Sequence, residues 1–180
     1  PVVDFDDNLF YNTPINNRIL GCDPDFDAWN DGEANEPPEP PHDRSTMRTA
    51  SGHLHYGFTN NQNPLSEEYR KDCCSLVKEL DAVLFPFSLL WDTDDDRRKL
   101  YGNPGAFRPK SYGLEYRVLS NRWLSSPNLI NFVYDASHRV LDLYRDGTSI
   151  VDDWKFAPYQ VNRSNVERWI DKVLVQTYGF

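Results

Sequence analysis

Apolar side chains recur at intervals of three and four residues in three stretches of the chain, each bracketed by helix punctuation. In SEEYRKDCCSLVKELDAVL, residues Cys73, Leu76, Val77, Leu80, Val83 and Leu84 form one stripe that marks a core-facing helix, capped by Ser66 and expected to end or bend at Pro86. In SSPNLINFVYDASHRVLDLYRDG, Ser126 is placed to cap, Pro127 occupies the first helical position and Gly147 follows the end. SNVERWIDKVL carries a capping box from Ser164 to Glu167 and a stripe of Val166, Trp169, Ile170 and Val173. Elsewhere the period falls to two. Residues 47–58 read as a strand in which His53 and His55 share one face, with Leu54 and Tyr56 on the other. Residues 111–124, SYGLEYRVLSNRWL, read as a second strand in which Leu114, Tyr116 and Val118 alternate with Glu115, Arg117 and Leu119. The segments between are expected to be irregular: 1–30, punctuated by Gly21 and Pro24; the acidic, proline-rich 30–43, a solvated loop; and 92–110, a charged loop containing glycine. No internal repeat occurs. Two polar-faced strands and at least three amphipathic helices predict an α+β domain with a largely antiparallel sheet covered by helices on one face.

Length and charge narrow the field. A chain of 180 residues suits one domain with one core. With 19 basic against 28 acidic residues and a net charge of −9, a broad basic face for nucleic acid is not expected, although a local arginine cluster could still hold an anionic ligand. No apolar run approaches the ~20 residues of a membrane span, and PVVDFDDNLF lacks the basic and apolar regions of a secretory signal, so a soluble, unexported protein is expected. Cys73 and Cys74 are adjacent in a helical stripe and Cys22 is distant, which suggests neither a disulfide framework nor a zinc spacing and points to a reducing, cytoplasmic setting. The opening PVVDFDD fits either a missing N-terminal portion or removal of an initiator Met before Pro1.

The polar strand faces carry the chemistry. His53 with His55 suggests a polar cavity, a metal or a phosphate, against the plainer alternative of structural histidines. Glu115 with Arg117 reads as a surface charge ladder unless it joins other groups, and Arg97 and Arg98, after three aspartates, read as exposed. Taken together, an imidazole, a carboxylate and several arginines are part of what a ligase needs to activate a carboxylate with ATP. A P-loop, a dinucleotide fingerprint, HExxH, an EF-hand and a GxSxG elbow are all absent.

The segments GCDPDFDAW, RTASGHLHYGF and DDDRRKLYGNPGAFRPKSYGLEYRVLSNRWL together resemble the phage-type, phiEco32-like carboxylate–amine ligases of the type 2 amidoligase group, in the glutamine synthetase and glutamate–cysteine ligase superfamily. The resemblance covers most of residues 15–150. It implies a glutamine synthetase-like fold, ATP and Mg²⁺ as cofactors, and amide formation through an acyl phosphate. It implies His53 and Glu115 as metal ligands, His55 and Lys110 toward the nucleotide, and Arg97, Arg98, Arg108 and Arg117 as the guanidinium groups that neutralise phosphates or a substrate carboxylate. Gly102, Gly105 and Gly113 would let backbone approach the ligand.

One departure stands out. The N-terminal GxDPE-like acidic strand of the family is not found, and GCDPDF matches a later segment. The chain therefore reads as a single domain over residues 1–180, the C-terminal portion of a catalytic domain: a truncated product, half of a split enzyme completed by a second chain, or a relative that has lost catalysis. Implied partners are small-molecule or peptide carboxylate and amine substrates and that second chain, in a host cytoplasm if phage-encoded, with no nucleic acid and no membrane. Two other readings stay open, a non-catalytic phage structural or binding protein that keeps the ligase fold, and a metal-dependent hydrolase using His53 and His55.

Overall fold

The computed structural model describes residues 2–18, 25–36, 45–153 and 161–180. Its centre is a five-stranded antiparallel sheet of β2 (Phe26–Asp27), β3 (Glu33–Ala34), β5 (Leu54–Gly57), β6 (Ala106–Lys110) and β7 (Gly113–Tyr116), in the order β3-β2-β6-β7-β5. A separate antiparallel pair joins β1 (Val2–Asp4) to β4 (Met47–Thr49). Between them α1 (Asp7–Asn12) is capped by Asp6, whose side chain accepts from the Leu9 N–H. The architecture is thus mixed α/β with antiparallel sheets.

Alternation along β6 and β7 decides which side chains meet. Phe107, Leu114 and Tyr116 point to the helix side and are fully buried. There they meet α2 (Glu67–Trp91), whose expected stripe of Cys73, Leu76, Val77, Leu80, Val83 and Leu84 is buried throughout. Ser66 caps α2 by accepting from the Tyr69 N–H. Tyr69 then fastens α2 to the β6–β7 turn by donating to the carbonyls of Lys110 and Gly113. The fourth helix, α4 (Pro127–Arg145), packs beside α2, with Ser126 accepting from the Leu129 N–H, Pro127 in the first turn and Gly147 at φ +76 beyond the end, as the pattern predicts. Tyr56 of β5 ties the sheet to it through Ser137 Oγ at 2.8 Å.

Several expectations need correction. Pro86 does not stop α2, which runs five residues further to Trp91. Residues 47–58 are two strands in different sheets, because the chain leaves β4 after Thr49, bridges at Ser51 to Ser120 and only then enters β5, with His53 just ahead of it. The loop expected over 92–110 holds α3 (Asp95–Leu100) and the central strand β6. Asp94 caps α3, Asp95 and Asp96 lie in its first turn and the basic residues in its last, which suits the helix dipole. Pro109 hid β6 from the pattern. It lies beyond the two residues that pair with β2, so its missing N–H breaks no ladder there. Finally, the Ser164–Glu167 capping box does not form. Asn165 precedes α5 (Val166–Trp169), and a wider π turn at Ile170–Val175 leads into α6 (Gln176–Tyr178), so that Leu174 and Tyr178 share the burial with Val166 and Trp169.

The sequence-expected strand over 111–124 is confined to Gly113–Tyr116, followed by a short 3₁₀ turn at Asn121–Ser125. Gly21, Pro24, Asp23, Cys22 and residues 37–43 of the acidic loop lie outside the described residues. No helix among the described residues is long and apolar enough to cross a membrane.

Candidate active site on the polar face of the sheet

The same alternation that buries Phe107 and Tyr116 turns Arg108, Lys110 and Glu115 to the other face. Register brings them together: Arg108 stands opposite Glu115 between β6 and β7, and His55 stands opposite Glu115 between β5 and β7. Arg117, just past β7, and His53, just before β5, complete the cluster. Glu115 is its hub. One carboxylate oxygen meets His53 Nδ1 at 2.8 Å and Arg117 Nη1; the other meets Lys110 Nζ at 3.0 Å and Arg108 Nη1 at 3.4 Å. Arg117 also donates through Nε to Asp25 at 3.0 Å, and Asp25 in turn accepts from the Asn35 amide at 3.0 Å.

Tyr101 closes one side of the cluster. Its hydroxyl lies 3.1 Å from His53 Nε2, its ring stacks on the imidazole at 5.7 Å, and the Arg117 guanidinium sits 4.8 Å from the ring centroid. These contacts fix the imidazole's hydrogen bonding. Burial, with the Arg117 charge adding to it, pulls the His53 pKa down to about 4 despite the pull of Glu115. The ring is therefore neutral at pH 7, with Nδ1–H donating to Glu115 and Nε2 accepting from Tyr101. Burial pushes the Glu115 carboxyl up, but the Lys110 hydrogen bond and the charges of Arg108 and Lys110 outweigh it and hold the group below its ordinary value.

The expected site residues separate into three groups. His53, Arg108, Lys110, Glu115 and Arg117 converge. His55 lies on the exposed sheet edge with its Nδ1 2.6 Å from the Tyr112 hydroxyl, one strand position from the cluster. Arg97 and Arg98 are placed elsewhere: both are buried against Asp92, at 3.0 and 3.6 Å, rather than exposed. Arg97 further donates to Ser51 Oγ and the Val118 carbonyl, both at 3.3 Å, so it ties α3 to the chain flanking His53 and Arg117. Burial lowers its pKa to about 10, which leaves it protonated at neutral pH.

The three glycines have close neighbours within the chain. A Cβ on Gly102 would meet the Arg97 guanidinium, on Gly105 the Asp27 carboxylate, and on Gly113 the Tyr56 carbonyl. Close packing of the protein on itself therefore accounts for them.

Asp25 and Tyr101 were not singled out by sequence. Asp25 reaches the cluster from a stretch 92 residues before Arg117, and its only local signal is the acid-rich DPDFD. Tyr101 sits in KLYG with no periodicity to mark it.

The donor set is better suited to an anion than to a metal. His53 Nδ1 and Glu115 Oε1 are spaced like neighbouring ligands on one octahedral ion, which lie about 3 Å apart for bonds near 2.1 Å. However, both Glu115 oxygens already meet cationic side chains, and no group of three or more His, Cys, Asp or Glu able to hold an ion occurs among the described residues. Three cations, Arg108, Lys110 and Arg117, face two carboxylates, Asp25 and Glu115. The described residues thus do not fit a resident divalent ion, whereas their surplus positive charge fits a carboxylate or phosphoryl group.

Among known families, the model described as phage phiEco32-like COOH.NH2 ligase-type 2 aligns with residues 49–176, well over half of the chain. That span contains every convergent residue except Asp25. No curated protein and no solved structure matches the chain.

Proposed function

The chain belongs to the phage phiEco32-like COOH.NH2 ligase-type 2 family, and from that premise we propose that it is an ATP-dependent carboxylate–amine ligase on a glutamine synthetase-like scaffold, acting through an acyl phosphate. The observation that carries this reading is the convergence of Arg108, Lys110 and Arg117 on Glu115, with His53 and Asp25, on one face of the sheet. ATP supplies the phosphoryl group that activates the substrate carboxylate. Attack by the amine on the acyl carbon then forms the C–N bond, breaks the C–O bond to phosphate and releases a proton.

The chain's own residues supply binding and charge. Lys110 is partly exposed and meets Glu115 at its Nζ, so it can turn to an incoming anion while Glu115 keeps its other partners. Arg117, held at Nε by Asp25 and at Nη1 by Glu115, is fixed in orientation without loss of its positive charge, which is the preorganisation that charge stabilisation requires. His53 is a poor base near pH 7 because its pKa is depressed. Its part is to orient Glu115 through Nδ1–H.

The test is ADP release by the purified chain given ATP, a divalent metal and panels of acids and amines. Glu115→Ala and Arg117→Ala should each abolish turnover while leaving a folded protein, and near-normal activity in either variant would overturn the assignment. One observation favours a second reading, a non-catalytic phage protein keeping the ligase fold. The described cluster is internally satisfied and offers no three-donor metal group. In that case ATP titration yields no metal-dependent ADP release from the unaltered chain.

A further inference from the structure

Directly beneath the candidate site, on the helix side of the sheet, lies a carboxylate with no part in the chemistry above. Asp81 interrupts the apolar stripe of α2 and is fully buried. Its two oxygens gather donors from three separate segments: Trp29 Nε1 at 2.7 Å, from the turn after β2; the Gly105 N–H, at the entrance to β6; and the Tyr116 hydroxyl at 2.6 Å, from β7. On the opposite face, the same three segments carry Asp25, Arg108, Glu115 and Arg117. All three partners of Asp81 are neutral.

A buried carboxylate met only by neutral donors is an expensive way to fill a core position, and an apolar residue on the same helix face would avoid that cost. What it gains is geometry. The indole and the amide are obligate donors, so Oδ2 must accept from both, while the phenol can donate to Oδ1 or accept from it. The anchor is therefore satisfied whether Asp81 is ionised or neutral. Burial pushes its pKa up to about 7 against the Tyr116, Trp29 and Gly105 hydrogen bonds, and Asp27 adds to the rise.

We propose that Asp81 is a positioning residue, which from below the sheet holds β6, β7 and the turn after β2 at the spacing that lets Asp25, Arg108, Glu115 and Arg117 meet above it. Its value for catalysis rests on the ligase reading, but the anchoring itself does not. The strands it fastens are short, and β2 has only two paired residues, so a tether from α2 adds a restraint their own ladders lack.

The experiment follows His53 in the folded protein by NMR, since the imidazole senses Arg117 and Glu115 without any need for turnover. Three variants are compared with the unaltered chain: Asp81→Leu, which leaves the three donors unpaired; Asp81→Asn, which can accept from the indole and the amide and donate to the phenol; and Leu84→Ala, which weakens the same helix elsewhere. Expected are a rise of the His53 pKa by about one pH unit or more in Asp81→Leu, near-native behaviour in Asp81→Asn, and a lowered melting temperature with an unmoved His53 titration in Leu84→Ala. A folded Asp81→Leu with the native His53 titration would overturn the proposal, as would a Leu84→Ala that shifts His53 equally. Where Asp81→Leu does not fold, Trp29→Phe and Tyr116→Phe each remove one donor. A shift in either supports the proposal, and no shift in both overturns it. A His53 response in a chain that never turns over ATP would discard the ligase reading and keep the anchor.

Discussion

Glu115 and Asp81 are carboxylates served by one strand, β7, and face opposite sides of it. Glu115 projects among His53, Arg108, Lys110 and Arg117, and the Lys110 hydrogen bond with the charges of Arg108 and Lys110 holds its pKa down despite burial. Asp81 reaches β7 from the helix below, where burial raises its pKa to about 7 because the donors it meets bring hydrogen bonds without charge. Burial alone does not set the role of an acid. Counter-charge on one face makes an ionised hub suited to anion chemistry, and neutral donors on the other make a structural anchor that changes charge near neutrality.

The comparison breaks most visibly on removal of each group. Asp81→Leu leaves an indole N–H, an amide N–H and a phenol buried without partners, with an expected loss of about 3–5 kcal/mol. Glu115→Leu leaves three cations crowded together, but Lys110 and Arg108 can turn partly to water, so about 2–3 kcal/mol is expected. Urea denaturation of the two variants at pH 7 checks the order. A Glu115→Leu loss exceeding that of Asp81→Leu would mean that the polar face carries the fold.

The two faces should also answer pH with opposite signs. Between about pH 4 and pH 7 the unfolded chain has lost the Asp81 proton while the folded protein keeps it, so rising pH removes stability, by about 4 kcal/mol over the whole window. His53 runs the other way. Its folded pKa of about 4 lies below the unfolded value of 6.5, so the unfolded chain binds the extra proton and stability is gained as pH rises through that window, by about 2 kcal/mol after allowance for partial exposure of the ring. Glu115, held low, adds stability above the usual carboxylate range that is lost in acid. Asp81→Asn should therefore convert a stability profile that falls by about 2 kcal/mol between pH 4 and pH 7 into one that climbs by about that amount. A mutant profile parallel to that of the unaltered protein would show that Asp81 does not titrate in this range.

This arrangement explains what was legible in the sequence. The α2 stripe, the caps at Ser66 and Ser126 and the pairing of Glu115 with Arg117 rest on neighbours a few residues apart, and local periodicity reports them. Long-range partnership is what sequence hides. Asp81 looks like a stray polar residue in KELDAVL until Tyr116, 35 positions on, is brought to it. Asp25 meets Arg117 only once β2 has paired with β6. The arginines of DDDRRK read as an exposed charge run because their destination, the buried Asp92, supplies no pattern of its own. Short strands suffered most: a two-residue β2 carries no detectable period, and Pro109 argues against a strand that is nevertheless central.

The smallest expected effect sharpens the boundary of the polar cluster. His55 shares a cross-strand position with Glu115, yet its Nδ1 is engaged by the Tyr112 hydroxyl at 2.6 Å on an exposed edge, and no contact links it to the Glu115 oxygens. A solvent-exposed hydrogen bond of this kind contributes about 0.5 kcal/mol. Tyr112→Phe should accordingly lower stability by about that amount and leave the His53 titration where it is. The His55 charge does reach His53 weakly, lowering its pKa behind burial, Arg117 and Arg108. A Tyr112→Phe variant that moves His53 as far as an Asp81 variant does would extend the cluster to the sheet edge, and the two histidines of HLH would then have to be treated as one unit.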